Sequence, residues 1–154
     1  MSNDQNSTDV VPAITGRTEQ AVFGIVVSVL GFLVFLIGAK PEWLALDRSP
    51  VIGFVQIIVF TFGMGLLCLG GYVSLSSLWK QDGRSILADI GSRLIATGYV
   101  VFVFAGMADL LGLGTHPLPG IPFFGPIQAM GVQVGQVVIA VGLAMMIPYH
   151  RFGK

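Results

Sequence analysis

The sequence predicts an all-α, polytopic membrane protein: an antiparallel bundle of four transmembrane helices, arranged as two tandem helical hairpins. Three observations lead there. Only 10% of the 154 residues are charged and 54% are hydrophobic, with a mean hydropathy of +0.84. Soluble domains carry about 25% charged residues, so this chain could not clothe a water-facing surface. Charges are also missing over long stretches: 20 residues between Glu19 and Lys40, 31 between Arg48 and Lys80, and 41 between Asp109 and Arg151. A hydrocarbon core of about 30 Å needs roughly 20 apolar helical residues. The third observation is a similarity between the two halves of the chain, described below.

Taken in order, residues 1–19 (MSNDQNSTDVVPAITGRTE) are polar and lack the basic start and early apolar core of a secretory signal. They are expected to form a disordered cytoplasmic tail, leaving the first span, 20–39, uncleaved. The second span covers 51–72, but its apolar run continues to Trp79. Either that helix tilts, or VSLSSLW lies along the interface with Trp79 as anchor. The third span, 90–110, begins beside Asp89 and Arg93, which are four apart and suited to pair at a helix N-terminus. Before the fourth span, 127–148, the loop LGLGTHPLPGIPFFGP holds prolines 117, 119, 122 and 126, which stiffen it. The spans thus form one transmembrane domain over 20–150, with 151–154 as a cytoplasmic C-terminus.

Arg17, Lys80, Arg84, Arg151 and Lys154 flank the spans on one side, against Lys40 and Arg48 on the other. The positive-inside rule then puts both termini in the cytoplasm of a cell-membrane protein.

The internal similarity aligns the first span with the third at an offset of 67. Gly24, Gly31, Val34 and Phe35 then meet Gly91, Gly98, Val101 and Phe102, and Glu42 meets Asp109. At an offset of 72, PVIGFVQ (50–56) meets PFFGPIQ (122–128), and Gly63 and Gly70 meet Gly135 and Gly142. Two hairpins of like orientation, related by an axis along the membrane normal, would follow.

Small residues recur at intervals of seven: Gly24, Gly31, Gly38; Gly63, Gly70; Gly91, Gly98, Ala105; Gly135, Gly142. Seven residues are nearly two helical turns, so each set forms one slowly drifting stripe. In lipid, close backbone approach at small residues drives helix association, and these stripes are the expected packing seams that clamp the hairpins face to face. Gln56, Gln128 and Asp109 share the small-residue faces of their helices. With Glu42 at the rim, they are expected to converge as a polar cluster beneath the outer loops. An intramembrane carboxylate marks a proton, ion or ligand path by default. Near an interface, the same groups serve as hydrogen-bonding register marks. Gln133 and Gln136 lie on another face of the fourth helix, near the midplane, where a second protein or another copy would satisfy them.

The residues of several chemistries are missing. No span holds a histidine for haem or for activating a serine, His116 and His150 lie outside the spans, and Cys68 is the lone cysteine. No HExxH, Cys/His metal spacing or phosphate-binding glycine loop occurs, so no catalytic, cofactor-binding or metal residue is assigned. Zero formal charge points to no nucleic-acid partner. The expectation is a small multi-pass integral membrane protein without catalytic activity. Its partners would be membrane lipids and either a membrane protein that it helps assemble, as an accessory subunit, or further copies of itself. The alternative is a small transporter or channel using the Asp109 cluster.

Overall fold

The computed structural model describes residues 5–40, 54–79, 83–108, 111–112 and 125–149, with side chains described from Gly16 and from Val55 in the first two stretches. Its elements are four helices: α1 (Gln5–Ala39), α2 (Phe54–Ser77), α3 (Ile86–Gly106) and α4 (Pro126–Met145). Each contains a stretch long and apolar enough to cross a membrane: Gly16–Ala39, Val55–Ser77, Ile86–Gly106 and Pro126–Met145. The chain is a multi-pass membrane protein whose helices pair as α1·α2 and α3·α4 hairpins.

Local sequence sets the helix ends. Lys40 precedes Pro41, and a residue before proline avoids the helical region, so α1 stops at Ala39. Gly83, at φ +71°, takes the left-handed turn into Ser85. The Ser85 hydroxyl then caps α3 by accepting from the Ala88 N–H at 3.1 Å. Asp89 in the first turn of α3 pairs with Arg93 at 3.2 Å, as the spacing predicts. Pro126 opens α4, where a missing N–H costs nothing.

Three boundaries differ from the sequence expectation. The tail expected to be disordered is helical from Gln5, continuous with the first span although Pro12 and Gly16 lie within it. The third span occupies 86–106 instead of 90–110, since the Ser85 cap starts it one turn earlier. Trp79 is not an interfacial anchor. It is buried, and its indole N–H donates to the Met146 carbonyl at 2.8 Å, capping the far end of α4. The second helix therefore runs unbroken to Ser77.

The glycine stripes lie inside each hairpin, not between the hairpins. A Cβ on Gly24 would fall 2.8 Å from the Gly70 carbonyl, and one on Gly70 would fall 2.6 Å from the Gly24 carbonyl. Gly91 and Gly142 oppose each other likewise, at 2.6 and 2.7 Å. Gly63 packs on the backbone of Phe35 as Gly135 does on Phe102, and Gly31 meets Leu67 as Gly98 meets Ile139. Every one of these contacts in the first hairpin maps onto its counterpart in the second through the sequence offsets of 67 and 72. Of the stripe positions, Ala105 carries the one Cβ, and it rests against Gly131.

The joint between hairpins is made of side chains. Ile57, Phe60, Met64 and Cys68, spaced three and four apart on α2, turn away from α1 and meet Ile95 and Phe102 of α3 and Val132 and Ile139 of α4. Phe60 and Phe102 stand edge to face with ring centres 5.4 Å apart, and Phe35 of α1 reaches both rings at 6.5 and 6.4 Å. At backbone level α1 rests on α2 alone. Its other face, including Phe23, Val26, Leu30 and Leu33, is exposed, as lipid contact requires.

Candidate functional site

Among the residues expected to form the polar cluster, Asp109 and Glu42 lie outside the described residues. The two described members have different neighbours. Gln128 turns back on its own helix, its side-chain oxygen accepting from the Gly125 N–H at 2.9 Å, which satisfies one of the donors left open at a helix start. Gln56 lines a small cavity of about 150 Å³ between the hairpins, together with Phe35, Gly38, Phe60, Val132 and Gln136. The amide across from Gln56 is thus Gln136 and not Gln128, because α4 presents Val132 and Gln136, one turn apart, to the joint. Neither Gln56 nor Gln136 makes a side-chain hydrogen bond among the described residues.

A larger concavity was not foreseen. A groove of about 550 Å³ runs between α2 and α3, walled by Phe62, Leu69 and Tyr72 on one side and Ser92, Ala96 and Tyr99 on the other. It exists because α2 and α3 approach sparsely and α3 carries the small Ala96 on the groove wall. Phe62, Leu69 and Ala96 are exposed, so the groove opens sideways, toward the surrounding lipid. At its deep end the Tyr99 hydroxyl donates to the Thr61 carbonyl at 3.3 Å. That bond depends on Gly65, whose Cβ would stand 2.7 Å from the Tyr99 oxygen. The Thr61 hydroxyl itself is buried, with no hydrogen-bond partner among the described residues.

At the other end of the groove, Arg84 reaches back over α2. Its Nη2 donates to the Tyr72 hydroxyl at 2.8 Å and to the Ser76 hydroxyl at 2.6 Å, and the guanidinium lies 5.4 Å from the centre of the Tyr72 ring. Ser92, on the opposite wall, donates to the Asp89 carbonyl within its own helix. Arg17 reaches the Leu78 carbonyl at 3.3 Å, so basic side chains gather at the end of the bundle where α2 finishes and α3 starts.

No three His, Cys, Asp or Glu side chains come together among the described residues. Cys68 is buried in the joint between hairpins. No protein-family model, curated protein or solved structure matches the chain.

Proposed function

We propose that this chain is a non-catalytic membrane subunit that works by helix contact with another chain in the bilayer, and that the contacting surface is the outward face of α4. The observation that carries this is Gln133. It lies about 11 Å along a helix that spans about 30 Å, it is exposed, and its amide has no hydrogen-bond partner among the described residues. A carboxamide facing hydrocarbon costs free energy until a partner satisfies it. Along the same exposed stripe lie Val137 and, beyond it, Ala140 and Ala144, the two alanines small enough for a second helix to approach closely. A carboxamide both donates and accepts, so two copies about an axis normal to the membrane would pair Gln133 with Gln133 at one depth. That favours the homo-oligomer over other assembly partners.

The same reading takes both termini as cytoplasmic, since Arg17, Lys80, Arg84, Arg151 and Lys154 outnumber Lys40 and Arg48. It also takes the two hairpins as an internal repeat, which the shared register of their glycine contacts supports.

The test is light scattering in mild detergent, with mass spectrometry of co-purifying proteins and disulfide cross-linking of Ala140→Cys in a Cys68→Ser background. A dimer that cross-links through position 140 and dissociates in Gln133→Leu is expected. A stoichiometric foreign partner would replace the second copy while keeping the subunit reading. A monomer with neither, or proton or substrate flux abolished by Asp109→Asn, would overturn it in favour of a transporter or channel.

A further inference from the structure

We infer that the groove between α2 and α3 is a binding site for an anionic phospholipid, with the phosphate held by Arg84 and one acyl chain lying in the groove. The groove has the shape of that ligand. From Tyr72 to Phe62 it follows ten residues of α2, across the middle of the Val55–Ser77 span, about 15 Å at 1.5 Å per residue, a length comparable to that of an acyl chain in a hydrocarbon core of about 30 Å. Its walls are apolar and it opens to the side, the direction from which a lipid tail would enter.

The charge lies at the correct end. Arg84 bonds Tyr72, the last groove residue on α2, and Ser76, one turn further on and next to the last residue of the Val55–Ser77 span; these two hydrogen bonds and the face of the Tyr72 ring hold it in place. Both bonds use Nη2, so among the described residues the hydrogens on Nη1 and Nε remain available as single charge-assisted donors to phosphate oxygens. The exposed first turn of α3 begins at the next residue but one, adding the positive end of a helix dipole. The acidic neighbour, Asp89, is ion-paired with Arg93 and so sets little net negative charge against the headgroup. A zwitterionic lipid fits the same groove but gains less at Arg84, because its own cation accompanies the phosphate.

The test is native mass spectrometry of the detergent-purified protein titrated with phosphatidylglycerol, with phosphatidylcholine of the same chains, and with soluble glycerol phosphate. One saturable phosphatidylglycerol adduct is expected, with phosphatidylcholine about five-fold weaker and glycerol phosphate unable to displace either. Arg84→Gln should weaken phosphatidylglycerol about five-fold, the equivalent of about 1 kcal/mol for one basic residue at the membrane surface. Arg84→Lys should keep most of the binding. Ala96→Phe, which fills the groove without touching the cation, should weaken both lipids. Equal binding of the two lipids would overturn the inference, as would undiminished phosphatidylglycerol binding in Arg84→Gln or Ala96→Phe. Displacement of lipid by glycerol phosphate would leave a headgroup site without a tail groove, and would overturn it too.

Discussion

Replacing Gly98 with alanine puts one methyl group where the α3 and α4 backbones touch. That Cβ would lie 2.9 Å from both the Gly135 carbonyl oxygen and the Ile139 nitrogen, whereas ordinary contacts lie at 3.4–4 Å. Both obstacles are backbone atoms, so no side-chain rotation relieves them, and the helices must part by roughly half an ångström or more. A gap of that size already forfeits about a quarter of the dispersion energy of the contacts it opens, and overpacking of this kind costs about 1–3 kcal/mol. Alanine's better helix propensity returns at most about 1 kcal/mol. With the full offset, the net expectation is a loss of up to about 2 kcal/mol, seen as a lowered Tm in detergent. Cys68, the sole cysteine and buried in the joint between hairpins, supplies the assay: a fluorogenic maleimide reports its exposure as the protein melts. Gly106→Ala is the matched control, because its Cβ would meet Phe60 at an ordinary 3.4 Å, and its Tm should equal or exceed that of the wild type. A Gly98→Ala Tm at or above that of Gly106→Ala would refute the close-approach account of the seam.

Two further outcomes follow from single side chains. Trp79→Phe removes the bond to the Met146 carbonyl while keeping most of the apolar bulk, and should lower stability by about 1 kcal/mol; the same maleimide melt measures it. Thr61→Val replaces a buried hydroxyl that has no partner among the described residues with a methyl of similar shape. It should raise the Tm, by up to the equivalent of about 1–3 kcal/mol, and a lower Tm would mean that the hydroxyl is satisfied.

The four spans were legible in the sequence because charge is so costly in hydrocarbon that gaps between charges mark where the chain crosses. Their ends were less so. Ser85 caps α3 one turn before the stretch that hydrophobicity alone marks out, and the tail's polarity masks a helix continuing back from the first span. The seven-residue glycine stripes showed that seams exist, yet periodicity on one helix cannot say which neighbour the stripe meets. Here the neighbour is the hairpin partner in both halves, while the hairpins meet through Phe60, Phe102 and Phe35. The α2–α3 groove left no trace in the pattern, because it is a volume between two sparsely touching helices, with only the small side chain of Ala96 on part of its wall. Arg84 read only as one of the loop charges, since its bonds to Tyr72 and Ser76 join residues 12 and 8 positions apart across a turn.

The indole of Trp79 also bears on how the protein is made. Its acceptor on Met146 lies 67 residues further along the chain, so during synthesis this bond cannot form until α4 has been made. The first hairpin, closed by contacts among its own residues, can zip up in the bilayer while the rest is still being translated. The tryptophan bond, which joins the two hairpins, waits for the second to be made.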